Sequence, residues 1–116
     1  MLTQADLSQF IGTTKYYQHS FKRFTYTDGV KYLAEKADAY WLLDAIASHQ
    51  PQLLNDPMLQ YFQHWKLTVI NNTAKLICEK DSNIIAATQD IPFTDFPLSS
   101  VQLFLIERVL MLPSEY

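Results

Sequence analysis

Asp44 is the residue whose type and setting most invite chemistry. It stands inside AYWLLDAIASHQ, a run that is otherwise apolar on most sides. In one continuous helix it would share a face with Leu33, Ala37, Tyr40, Trp41 and Ser48, at three- and four-residue spacings. A carboxylate on a buried face is expensive without partners, because desolvation penalises its charged form. A carboxyl perturbed in that way inside a cleft suits general acid–base work. The favoured reading is structural, a hydrogen bond to a tyrosine hydroxyl, a tryptophan N–H or loop backbone.

The other reactive types are thinly spread. His19, His49 and His64 lie far apart and show no H-x-x-x-H or H-E-x-x-H spacing, so no metal site is expected. Cys78 is the lone cysteine, which excludes an internal disulfide. A thiol beside a histidine could be a nucleophile. Cys78 sits in the apolar alternation of LICEK with no flanking pattern, and reads as a small core residue. Only two glycines occur, Gly12 and Gly29, so no glycine loop can cradle a phosphate and no cofactor is expected.

A third constellation mixes rings with cations. Tyr16, Tyr17, Phe21, Phe24 and Tyr26 interleave with Lys15, Lys22 and Arg23. Stacking plus positive charge is the chemistry of single-strand nucleic-acid binding. The net charge of −3 is spread evenly along the chain, and no basic stripe accompanies the rings. Nucleic-acid binding is therefore disfavoured. A docking edge strand that presents Tyr16, Tyr17, Phe21 and Arg23 to a partner is the better functional reading, since aromatics and arginine are enriched in interface cores. An arm packed on its own sheet stands equal to it. At the other end, LMLPSEY carries Tyr116 directly after an apolar run. Tyr116 packed beside a last strand is preferred over Tyr116 offered to a partner.

Composition bounds what must position these groups. The 116 residues read as a single domain over 1–116, hydrophobic at 48% and charged at only 18%. The charge deficit hints at surface covered by a partner. No basic, apolar leader opens the chain and no apolar run approaches the ~20 residues of a membrane span. A soluble, cytoplasmic protein without membrane contact is the expectation.

The elements follow from caps and periodicity. Thr3 with Asp6 signals a short first helix that ends at Gly12. Residues 15–26 form a weak strand or arm. Thr27 caps a second helical stretch with Asp28 in its first turn, read either as one long helix or, with a kink at Asp38, as two at about 28–37 and 39–49. Pro51 is expected to end the helix at His49 or Gln50. Strands follow at 61–70, 74–80 and 84–92, separated by turns at Asn71-Asn72 and 81–83. Residues 101–112 read as a hairpin turning at Glu107-Arg108 rather than as a helix. The fold class is α+β: N-terminal helices packed on one face of an antiparallel meander of four to five strands.

Three segments together resemble a known family. They are YTDGVKYLAEKADAYWLLDAIASHQ, the strand WKLTV, and TDFPLSSVQLFLIERVLMLPSEY, with AYWLLD and LMLPSEY the most specific pieces. The likeness, from about Phe21 to Tyr116, is to small bacterial proteins classed only as a domain of unknown function. It implies a single-domain bacterial protein and carries no activity, cofactor or catalytic residue across.

The leading functional expectation is a non-enzymatic protein-interaction module, with a homodimer or a separate protein as partner. The alternatives are a small enzyme using Asp44 in a pocket beside the long helix, and a weak single-strand binder through residues 15–26.

Overall fold

The computed structural model describes residues 2–19, 23–81 and 84–116. Helix α1 (Gln4–Ser8) is followed by two short strands, β1 (Tyr17–Gln18) and β2 (Thr25–Tyr26). Helices α2 (Asp28–Lys36), α3 (Tyr40–Leu53) and α4 (Pro57–Tyr61) come next. Strands β3 (Phe62–Ile70), β4 (Thr73–Asp81), β5 (Ile84–Ile91), β6 (Ser100–Ile106) and β7 (Val109–Met111) complete the sheet, and a 3₁₀ turn (Pro113–Glu115) closes the chain.

The expected N-terminal caps are present, but α1 ends at Ser8 with Gln9 as its C-cap, short of the stop expected at Gly12. Thr3 and Asp6 form a reciprocal capping box on α1. The Thr27 side chain accepts from the Val30 N–H at the start of α2. Asp38 breaks the helical stretch by adopting φ 51°, and the Ala39 N–H then donates to the Ala34 carbonyl at 2.8 Å. This is a Schellman-type stop in which an aspartate takes the position usually held by glycine.

The expected helix end at Pro51 is wrong. α3 continues to Leu53, and the Leu54 N–H donates to the Gln50 carbonyl at 2.9 Å. Proline removes one ladder donor and disfavours a helical residue before it. Gln50 is held helical from outside the helix. Its side-chain amide donates to the Ile46 carbonyl at 3.0 Å and to Gln63 Oε1 at 2.9 Å. Gln63 returns a bond to Gln50 Oε1 at 2.8 Å and donates its second hydrogen to the Leu59 carbonyl at 3.0 Å. Trp65 Nε1 donates to Gln63 Oε1 at 2.9 Å. Both glutamines and Trp65 are 1% exposed. Every amide hydrogen of the pair has a partner, which is what makes burying two glutamines tolerable.

The sheet differs from a meander of four to five strands. It has seven strands in the order β1-β2-β7-β6-β3-β4-β5. β6 pairs antiparallel with β3, not with β5, and β2 pairs in parallel with β7. The loop at 92–99 carries the chain back across the sheet, with Phe96 buried and its ring edge-on to Trp41 at 6.4 Å. β1 and β2 escape a pattern-based reading because two-residue strands carry no periodicity. The β3–β4 turn is the expected one, with Asn71 at φ 52° and Asn72 at φ 60°. The expected hairpin at Glu107-Arg108 forms as well, at φ 48° and 67°.

Helices cover one face of this sheet. On β3, Gln63, Trp65 and Leu67 are buried, as are Leu76 and Cys78 on β4 and Val101, Leu103 and Leu105 on β6. They form one core with Leu42, Leu43 and Ile46 of α3 and Val30 and Leu33 of α2. The 3₁₀ turn closes the other flank. Glu115 Oε1 accepts from the Thr27 hydroxyl at 2.6 Å and the Leu112 N–H at 2.9 Å, while Oε2 accepts from the Gly29 N–H at 3.2 Å. A carboxylate at the N-terminus of α2 is favoured by the helix dipole. Gly29 is required there by space: a Cβ would stand 2.7 Å from both Glu115 Oε1 and Leu112 Cδ1.

Gln63→Ala should destabilise the fold by roughly 3–5 kcal/mol, because it opens a cavity and orphans the Gln50 amide and the Trp65 N–H. The double substitution Gln50→Leu with Gln63→Leu should lose less than the sum of its single variants, since neither amide is left unpaired. Urea unfolding of the parent and the four variants measures both.

Candidate functional site

Because side chains alternate along a strand, burying Gln63, Trp65 and Leu67 sends Phe62, His64 and Lys66 to the opposite face. The same alternation on β6 and β7 sends Phe104, Ile106 and Met111 there. Among the described residues no helix lies over this face. A solvated sheet face ordinarily carries polar residues. Here one corner is aromatic. The Phe62 and Phe104 rings lie 5.2 Å apart, and the Tyr116 ring stands 5.7 Å from Phe104 and 6.4 Å from Phe62. Tyr116 is 79% exposed, so the terminal ring both packs on this corner and faces solvent.

Next to the corner lies a band of paired polar groups. The His64 ring meets Phe104 edge-on at 5.0 Å, and its Nε2 is 2.8 Å from Gln102 Oε1. Glu79 Oε1 lies 3.0 Å from Lys66 Nζ and 3.6 Å from His64 Nδ1. Register explains the trio: His64 sits opposite Glu79 on one side and Phe104 on the other. Beyond the band is a shallow depression of about 600 Å³, lined by Ile70, Ile77 and Pro92 with Lys75 and Asp90 at its rim. The face thus has an apolar zone at each end and charges neutralised between them.

The sequence-derived candidates lie elsewhere. Asp44 is not on the buried face of α3. Its side chain is 54% exposed, in register with Tyr40 and Ser48, whereas Leu43, Ile46, Ala47 and Gln50 face the sheet. The break at Asp38 resets the helical phase, so Asp44 does not align with Leu33 and Ala37. Its partner is none of those expected for a structural role, but a histidine: Asp44 Oδ1 is 2.7 Å from Nε2 of His19. His19 is buried, with its ring 5.0 Å from Phe24 and its N–H donating to the Phe24 carbonyl. The contact fastens the β1–β2 arm to α3. A cleft of about 890 Å³ does lie beside the C-terminal half of α3, but its lining runs through His49, Asp56, Lys80 and the first half of β5, without Asp44. Its charged groups pair, Lys80 with Asp56 at 2.6 Å, and His49 Nε2 is 2.8 Å from Gln89 Oε1.

The arm candidates do not converge on one patch. Phe21 lies outside the described residues. Tyr16 is exposed, and Arg23 is exposed with its carbonyl 3.5 Å from Arg108 Nη1. Tyr17 is occupied: it stacks on Tyr26 at 5.6 Å, Lys31 Nζ lies 4.6 Å over its ring, and its hydroxyl donates to Asp28 Oδ1 at 3.0 Å. That bond to a carboxylate is the main reason the Tyr17 hydroxyl is held above the ordinary tyrosine range. Phe24 is in the core. Cys78 is fully buried, and burial pushes its thiol up to about 12, with Glu79 adding to the effect, which suits packing and not nucleophilic attack. Among the described residues no three histidine, cysteine or acidic side chains are grouped to hold a metal. Likewise no described helix is long and apolar enough to cross a membrane.

A family model described as a family of unknown function, DUF6876, matches residues 1–116. The chain belongs to that family. No curated protein and no solved structure matches it. The two segments most specific to the resemblance, AYWLLD and LMLPSEY, supply core leucines and the Glu115 clamp in this structure. The open face was missed by the reading of the sequence, although a signal exists. LFLI of β6 (103–106) is apolar in both alternating registers, where a half-solvated strand should be apolar in one.

Asp28 supplies a pH test of the arm's anchorage. It accepts from the Thr14 N–H and hydroxyl, both at 2.9 Å, and from Tyr17. The backbone bond from Thr14 is the first cause of its lowered pKa, about 2 against an ordinary 3.8. A lowered carboxylate pKa contributes stability that is present above the ordinary value and lost as pH falls through the folded one. Amide exchange at Thr14, compared at pH 5 and pH 2, should show protection lost in acid. Asp28→Ala should show that loss already at pH 5.

Proposed function

We propose that this DUF6876 chain is a non-enzymatic protein-interaction module that docks a partner on the uncovered face of its sheet. The observation that carries this reading is the aromatic corner of Phe62, Phe104 and Tyr116 on a face with no helix above it. Contiguous apolar surface rimmed by polar groups is the mark of a contact site. The corner has that form, with the His64–Glu79–Lys66 band along one side. Since those charges already neutralise one another, an apolar partner surface could cover the face without stranding a net charge. Tyrosine and phenylalanine rings held by their neighbours supply contact area at low entropic cost.

The enzyme reading draws on the His19–Asp44 contact, since a carboxylate can orient an imidazole for proton transfer. It ranks second because Asp44 lies on an exposed flank of α3. Single-strand binding ranks third: Tyr17 and Phe24 are committed to internal packing, and Lys31 and Lys36 lie over tyrosine rings of the chain itself.

A photo-crosslinking residue placed at Gln102, on the open face, should capture a protein from native cells that one placed at Tyr16 does not. Phe104→Arg should reduce that capture at least about tenfold while leaving the urea midpoint within reach of the parent. Equal capture from both positions, or capture indifferent to Phe104→Arg, would remove the open face as the docking site.

A further inference from the structure

The sheet has two edges, and they are not alike. β1 offers two residues, whereas β5 offers eight, and one row of β5 backbone N–H and C=O groups is spent on β4. The other row points away from the sheet and is a template for another strand. Natural edges are usually blunted by lysine, proline or inward charges. Between Ile84 and Ile91 there is neither lysine nor proline, and the single charge is Asp90. One safeguard is present, a register shift against β4 between Cys78 and Glu79, which makes the first part of β5 irregular. From Ala87 to Ile91 the ladder runs without a break.

We infer that β5 pairs antiparallel with β5 of a second copy, in a register centred on Gln89. Its own sequence selects that occupant and that register. Ala87, Gln89 and Ile91 lie opposite Cys78, Leu76 and Ala74, so they belong to the helix-covered side, while Thr88 and Asp90 lie opposite Ile77 and Lys75 on the open side. A two-fold axis at Gln89 sets Ala87 against Ile91 of the second copy and Thr88 against its Asp90. Each side-chain type then meets its own side of the sheet, as pairing requires. The Thr88 hydroxyl can donate to the facing carboxylate, so Asp90, already 3.7 Å from Lys75 Nζ, gains a second partner. Centring on Asp90 would oppose two carboxylates, which is repulsive. A centre at Thr88 would run the pairing into the irregular segment. The Gln89 register places both helix layers on one side and both open faces on the other, in a continuous sheet of fourteen strands, twice the seven seen here. The inference does not depend on what the open face binds.

Five residue pairs make a small interface, below the ~1,200 Å² of stable complexes, so the dimer should be weak and concentration-dependent. Sedimentation of the full chain from about 10 to about 500 μM, at low ionic strength, should show dimer growing with concentration. Thr88→Asp opposes carboxylates at two positions and should weaken association roughly tenfold. Thr88→Lys should leave it as strong or stronger, and Thr88→Asp combined with Asp90→Lys should restore it. Thr88 is exposed, so these changes leave the core untouched. A monomer throughout the range overturns the inference. So does a dimer indifferent to Thr88→Asp, or one weakened equally by Thr88→Lys, which would indicate another surface or a Thr88-centred register.

Discussion

The fold depends on one buried exchange of hydrogen bonds, between the side-chain amides of Gln50 and Gln63. Two primary amides in an apolar core are tolerable only if each donor and acceptor is met, and the geometry for that is narrow. The pair lies between the C-terminal half of α3 and the start of β3, with Trp65 donating into it. It therefore sets both the rotation of α3 over the sheet and the register of β3 beneath it. A rotation of α3 by one residue would withdraw Gln50 and bury His49. A slip of β3 by one residue would bury His64 and expel Trp65. The same pair holds Gln50 helical ahead of Pro51, where local preference alone would end the helix.

Local signals were well represented in the sequence. Thr3, Thr27, Asp38, the Asn71-Asn72 turn and the Glu107-Arg108 hairpin all act through side chains or backbone angles within a few residues of themselves, and each forms where it was expected. The departures share a different cause. Helix α3 passes Pro51 because of a glutamine thirteen residues away from Gln50. Asp44 turns outward because the break at Asp38 uncouples it from the face of α2. β2 joins β7 in parallel across most of the chain length. None of these is visible in a window of a few turns, because each is decided by a tertiary partner. The open face was half legible: the double apolar register of β6 was present, but which register the helices would cover depended on the Gln50–Gln63 pair.

The segments AYWLLD and LMLPSEY are largely scaffold. LMLPSEY works through Glu115, whose two oxygens join Thr27, Gly29 and Leu112 and so tie the last turn of the chain to the first turn of α2. Gly29 is small because that carboxylate and the Leu112 side chain need the space. AYWLLD contributes Leu42 and Leu43 to the core and Asp44 to the anchorage of His19. Asp28 and Asp44 thus do similar work, each fastening the arm at 13–26 to a helix. The acids that stood out in the sequence are fasteners, and chemistry has to be sought in what the scaffold leaves uncovered.

What is left uncovered is uneven, and that unevenness is physically informative. A sheet closed on one face by helices must solvate the other face or share it, and polar side chains do the former at no cost in stability. This face has polar side chains in its middle, so the backbone there tolerates them. Its ends nevertheless hold Phe62, Phe104 and Tyr116 at one corner and Ile70 and Ile77 at the other. None of these rings or branched side chains is needed by the core, which is complete on the helix side. Of these, Tyr116 and Ile70 are exposed, and exposed apolar groups weaken solubility and contribute little to stability. Their presence is accounted for most simply by burial against something else, and the same reasoning applies to the unblunted edge of β5 beside them.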